Sequence, residues 1–68
     1  MKKKILTDRE QEVFNLLILN KTTSEIATNL GISEKTVRNH ISNAIQKLGV
    51  KGRASAVVEL IKLGELNI

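Results

Sequence analysis

Apolar residues recur along this chain at spacings of three and four, and no stretch alternates with period two. That periodicity predicts an all-α domain. Start and stop signals divide it into four helices. The first is announced by Thr7-Asp8-Arg9-Glu10, a capping box in which the threonine oxygen accepts from a backbone N–H and the glutamate reaches back to the cap. Val13, Phe14, Leu16 and Leu17 supply its inward stripe. Asn20 is expected to end it, because asparagine tolerates the left-handed conformation better than most residues. Thr22-Thr23-Ser24-Glu25 repeats the capping signal for a short second helix that points Ile26, Ala27 and Leu30 inward and breaks at Gly31. Ile32 plugs the turn, and Ser33 caps the third helix.

That third segment, Glu34 to Leu48, has two chemically distinct sides. Val37, Ile41, Ala44, Ile45 and Leu48 form one buried stripe, and Gly49 stops the helix. At about 100° per residue, Lys35, Asn39, Ser42, Asn43 and Gln46 fall opposite, flanked by Arg38, His40 and Lys47. The fourth helix begins near Arg53, with Gly52 as N-cap, and ends at Gly64. It is apolar on two sides: Ala54, Val57, Val58 and Ile61 on one, and Ala56, Leu60 and Leu63 nearly opposite. Such a helix is buried on two sides. The expectation is a homodimer sealed by Ala56, Leu60, Leu63 and Leu66, with the tail Glu65-Leu66-Asn67-Ile68 adding to the seam. The alternative is that this second face packs beneath the first helix of the same chain. Glu10 shares a face with Val13 and Leu17, so it either serves the cap alone or is partly buried against a cation, Arg53 being one candidate.

Sixty-eight residues bound the chain to one small domain, for which a partner subunit is a natural source of extra stability. Residues 6–68 form that domain, behind a basic arm of residues 1–5 in which Lys2, Lys3 and Lys4 read as a flexible, solvated run, the alternative being an arm that touches a polyanionic partner. Eleven basic and seven acidic side chains give a net charge of +4, which favours a polyanionic partner. The absence of cysteine excludes disulfides and thiolate metal sites, and a single histidine gives no metal cluster. No nucleophile stands beside an acid–base partner, so an enzyme is not expected, nor is a cofactor or a small-molecule ligand. No apolar run approaches the ~20 residues that span a bilayer, and the lysine run lacks the apolar segment of a signal peptide, so a cytoplasmic location is expected.

Two helices joined by the tight turn Gly31-Ile32-Ser33 make a helix-turn-helix, whose second helix fits the DNA major groove. After Glu34 the exposed side of that helix carries no acid. Lys35, Arg38, Asn39 and Ser42 are placed to meet base edges, arginine suiting guanine and asparagine suiting adenine. A merely solvated face would mix glutamate with lysine. Phosphate anchoring is expected at the start of the second helix, from Thr22, Thr23 and Ser24, with Lys21, Thr36, His40, Lys47 and Lys51 adding contacts that fix register without reading sequence. His40 reads as a packed or phosphate-bonded side chain and not as a catalytic base.

The strings Leu6-Thr7-Asp8-Arg9-Glu10-Gln11-Glu12-Val13, Glu25-Ile26-Ala27, Ile32-Ser33-Glu34-Lys35-Thr36-Val37-Arg38-Asn39-His40 and Lys47-Leu48-Gly49-Val50 resemble the LuxR-type helix-turn-helix family, as do Arg53 and the Ala56-Val57 pair. The likeness runs over residues 6–66. Within the family, residues 33–52 and the ending Val57-Val58-Glu59-Leu60…Gly64-Glu65-Leu66 are similar to a stand-alone regulator of late sporulation and spore-coat genes. The resemblance implies a four-helix DNA-binding domain, dimerisation through the fourth helix, and activation or repression at bacterial promoters, with RNA polymerase as a further partner. It places base contacts on Arg38, Asn39 and Ser42, and phosphate contacts on Thr23, Lys35, Thr36, His40 and Lys47. Asn20 departs from the pattern, standing where many members have glycine. Many members also carry a receiver or ligand domain ahead of this module; none fits within this sequence, so control through expression or a partner protein is expected. Region 4 of a bacterial sigma factor is the rival reading, and an adaptor that turns its basic face to an acidic protein is another.

Overall fold

The computed structural model describes residues 4–66. Its elements are α1 (Asp8–Leu17), α2 (Thr23–Leu30), α3 (Glu34–Leu48) and α4 (Arg53–Lys62), with no strand among the described residues. Lys2 and Lys3 of the basic arm, and Asn67 and Ile68 of the expected seam, lie outside them.

Both capping boxes close. Thr7 Oγ accepts from the Glu10 N–H at 3.1 Å while the Glu10 carboxylate accepts from the Thr7 N–H at 2.9 Å. Thr22 and Glu25 repeat the pair at the same two distances. The regular part of α1 ends at Leu17, and residues 18–20 continue as a tighter turn that brings Asn20 to φ 64°. Asparagine therefore holds the left-handed position that closes this turn. Gly31 and Gly49 take the same conformation at φ 69° and 68°, and end α2 and α3. Space is open around both, so it is the backbone angle that selects glycine there.

α3 is the centre of the packing and touches α1, α2 and α4, while α1 also meets α2. Val37, Ile41 and Ala44 point into a core with Leu6, Val13, Phe14, Ile26 and Ala27. Leu16, Leu17, Leu30, Ile45 and Leu48 pack around its margin, half-buried.

α4 turns to this core the side that was expected to face a second copy. Ala56 and Leu60 are fully buried within the chain, and Leu66 is nearly so. These three have next to no exposed surface; of the four residues expected to seal the seam only Leu63, 38% exposed, keeps any. The outward stripe is the other one: Ala54 is exposed, Val58 is 52% exposed, and Val57 and Ile61 are half-buried. This side of α4 packs with α3 in the core, and the tail closes beside it. Glu65 folds back so that its carboxylate accepts from the Ile5 N–H at 3.1 Å and the Leu6 N–H at 3.1 Å, and its carbonyl accepts from Gln11 Nε2. Leu66 is thereby drawn into the core beside Leu6. Periodicity shows that α4 carries two apolar sides; it does not tell which of them this clasp encloses.

Candidate nucleic-acid interface

The turn between α2 and α3 sets the two helices of the motif against each other. Ser33 caps α3 by accepting from the Thr36 N–H at 3.0 Å, and the Ile32 N–H donates to the Ala27 carbonyl at 3.0 Å, locking the turn to α2. With Val37, Ile41 and Ala44 anchored inward, the helical period forces the opposite side outward. Lys35, Arg38, Asn39, Ser42, Asn43 and Gln46 are all exposed or nearly so along that side. Arg38, Asn39 and Ser42 therefore stand together on one solvent-facing side, and Lys35 beside them. Thr36 and His40 are half-buried at its edge.

The start of α2 offers donors of a different kind. The Thr22 N–H is taken by Glu25, the Glu25 N–H by Thr22 Oγ, and the Ile26 N–H by the Thr22 carbonyl at 2.9 Å. Of the N–H groups that a helix start leaves over, those of Thr23 and Ser24 have no backbone or side-chain acceptor among the described residues. Two adjacent N–H groups at the positive end of a helix suit an anion. The Thr22 hydroxyl is committed to its cap, so Thr22 serves this seat by shaping it, whereas Ser24 and Lys21 are exposed beside it. Bonding to the Thr22 N–H and hydroxyl holds the Glu25 carboxyl below its usual range, so the cap stays ionised at neutral pH.

Two acidic groups engage residues of this interface. Glu10 is buried, as its place on the α1 stripe allowed, but its partner is Lys47 and not Arg53: Lys47 Nζ donates to Glu10 Oε1 at 2.6 Å, and Arg53 is exposed. The two residues lie 37 apart in the chain, and no local spacing announces the pair. Burial would by itself raise the Glu10 carboxyl; the ammonium of Lys47 and the Thr7 N–H outweigh it and hold the group below its ordinary value. Lys47 also reaches the Ile5 carbonyl at 3.5 Å, so its charge is partly spent inside the protein. The second partner is Glu34, whose carboxylate lies 3.7 Å from Arg38 Nη1 and accepts from the Thr23 hydroxyl at 3.5 Å. The four-residue spacing of Glu34 and Arg38 was a signal for that ion pair. Among the described residues no group of three His, Asp or Glu side chains is placed to hold a metal, and no helix is long and apolar enough to cross a membrane.

A capped scaffold helix, a glycine-closed turn and a second helix that shows only polar and cationic side chains beyond its first turn together define a helix-turn-helix regulator. Residues 4–60 match the family described as bacterial regulatory proteins, luxR family. The chain is 70% identical to the spore germination protein GerE of Bacillus subtilis (strain 168) over 66 residues, covering 97% of this chain and 89% of that one. It is 48% identical to the transcriptional regulatory protein DegU of Brevibacillus brevis over 94% of this chain but 27% of DegU. A solved structure of the transcription factor GerE superposes with a TM-score of 0.93 at 58% identity, covering 96% of this chain and 97% of that one. The chain belongs to the luxR family of bacterial regulatory proteins: it is a GerE-like transcription factor and not an enzyme.

Proposed function

We propose that this protein binds double-stranded DNA sequence-specifically as a homodimer, with α3 in the major groove. The supporting observation is the chemistry of one helix side: polar and cationic residues opposite a buried apolar stripe, with Arg38, Asn39 and Ser42 grouped where a groove-bound helix meets base edges. The free N–H groups of Thr23 and Ser24 seat a phosphate, assisted by Lys21, Thr22, Lys35, Thr36 and His40. Lys47 completes that set only by sharing its ammonium between Glu10 and DNA. Two copies pair through the outward stripe of α4, with Ala54, Val58 and Ile61 central, which sets two recognition helices on two half-sites. From such sites the dimer regulates transcription beside RNA polymerase. The likeness to a spore germination protein supports a role in a spore-forming bacterium; action in the mother-cell cytoplasm at late sporulation and spore-coat genes is what the resemblance over residues 33–52 and 57–66 implies.

The test begins by selecting duplexes from a randomised library with the full chain and measuring the enriched duplex against a scrambled one. The enriched duplex should bind at least ~10³-fold tighter at physiological salt. Arg38→Ala should relax discrimination at one base position of each half-site by about 1–3 kcal/mol, or roughly 5- to 150-fold. An equal loss on every sequence would show that Arg38 only contacts the backbone.

A further inference from the structure

Three large apolar side chains stand exposed among the described residues, and two of them, Val58 and Leu63, belong to α4. Leu19 is the most exposed, at 66%, and neither the polar side of α3 nor the α4 stripe includes it. It sits on the turn between α1 and α2. Backbone bonds hold that turn: the Leu19 N–H donates to the Leu16 carbonyl at 3.1 Å, the Asn20 N–H to the Leu17 carbonyl at 3.0 Å, and the Lys21 N–H to the Leu16 carbonyl at 3.3 Å. Leu19 is thus presented to solvent by a bonded turn. A single exposed leucine is ordinary on a protein surface. This one stands two residues ahead of a second feature. Along the outward side of α2, opposite buried Ile26 and Ala27, runs a recess of about 310 Å³ lined by Lys21, Ser24, Glu25, Thr28 and Asn29. All five of these residues are exposed.

We infer that Leu19 and this recess form the surface through which the DNA-bound protein engages RNA polymerase. This rests on the DNA-binding role proposed above. The recess begins at Lys21 and Ser24, which flank the phosphate seat, and continues along α2 to Thr28 and Asn29. Whatever fills it therefore lies against DNA that the protein already holds. For a transcription factor, the protein met in that position is the polymerase. The chemistry favours a protein over a further stretch of nucleic acid. Lys21 and Glu25 carry opposite charges, so the recess has no net charge to draw a phosphate backbone. The Glu25 carboxyl is held below its usual range and is ionised at neutral pH, which repels phosphate along that side. An apolar projection beside a polar rim of mixed sign is instead the make-up of a protein contact. The polymerase surface that fits it offers an apolar notch to Leu19 and a carboxylate and a cation to Lys21 and Glu25. So small a contact is weak alone and takes effect when both proteins share one DNA molecule, which raises their effective concentration.

The experiment places the library-selected duplex at a series of spacings upstream of a weak core promoter. It measures how tightly RNA polymerase holoenzyme, purified from sporulating cells of a spore-forming bacterium, binds that DNA with and without the full chain. Leu19→Ser removes the projection, and Thr28→Gln crowds the recess without adding charge. Neither residue caps α2 or lies at the phosphate seat. Both variants should therefore keep the circular dichroism melt and the sedimentation coefficient of wild type, and its affinity for the selected duplex within about twofold. At the best spacing wild type should tighten polymerase binding at least about fivefold, and each variant should return it close to the level without the protein. Variants that tighten polymerase binding as wild type does overturn the inference, and so does a wild type that leaves it unchanged at every spacing. A variant that loses duplex affinity in the absence of polymerase marks the recess as a DNA contact and overturns it too. Arg38→Ala on the selected duplex keeps the two readings apart. If it relaxes one base position in any of those cases, the DNA-reading role stands and only the part given to Leu19 and the recess fails. If it leaves base preference unchanged, both fall.

Discussion

Replacing Lys47 with methionine should lower the folding free energy by about 3 kcal/mol, near the low end for breaking a buried ion pair because Lys47 keeps 37% of its side chain exposed. For a domain of this size that is a fall in melting temperature of roughly 10–25 °C. The loss comes from Glu10: its side chain is 3% exposed, and without Lys47 a carboxylate is left in the core with only the Thr7 N–H as donor. Glu10→Gln should cost less, because the amide oxygen can still cap Thr7 and the orphaned Lys47 can turn to water. The asymmetry is the diagnostic, and thermal melts of the two variants measure it. Since the Glu10 carboxyl is depressed in the folded state, the pair's contribution is fully present above the unfolded value of about 4.3 and is lost as pH falls through the lower folded value. Glu10→Gln should accordingly flatten the acid limb of the stability profile below about pH 4.3 and leave the neutral region parallel to wild type. Lys47 was expected from sequence to anchor phosphate. A Lys47→Met variant that loses stability while its folded fraction binds DNA at the wild-type salt slope would make it purely a structural counter-ion.

What could be read from the sequence was whatever is local or periodic. Thr7, Thr22, Ser33, Gly31 and Gly49 mark helix ends within a few residues of where they act, so the starts of α1, α2 and α3 and the ends of α2 and α3 followed from such signals, whereas α1 and α4 stop at Leu17 and Lys62, short of the expected Asn20 and Gly64. The solvent-facing side of α3 followed from the period alone, since Val37, Ile41 and Ala44 can be inside only if Arg38, Asn39 and Ser42 are outside. What could not be read depends on chain segments distant in sequence. Lys47 meets Glu10, and Glu65 takes the N–H groups of Ile5 and Leu6, across 37 and 59–60 residues. Neither spacing has a template. The second misled the assignment of α4, because a tail assumed to face a partner instead closes the core of its own chain. Glu34 is an intermediate case: its i,i+4 relation to Arg38 was visible, but its reach to Thr23 required the fold.

The two sides of α4 should respond to substitution in opposite ways, and this contrast carries the second large effect. Leu60 is fully buried, so Leu60→Ala removes core contacts and should cost about 2–5 kcal/mol of folding, with a proportionate loss of folded protein at every concentration. DNA selectivity of the fraction that remains folded should be unchanged. Val58 is half exposed on the outward stripe, so Val58→Asp should change the melting of the isolated chain by no more than about 0.5 kcal/mol. It places a charge where two copies would meet, and it should abolish self-association in sedimentation. Occupancy of a two-half-site duplex should then fall steeply while a single half-site binds as before. The reverse result, with Leu60→Ala breaking the dimer while the folding of each chain is spared, would require the core side of α4 to open outward. The Glu65 clasp opposes this, since Leu66 could leave the core only if Ile5 and Leu6 gave up the carboxylate that pins them.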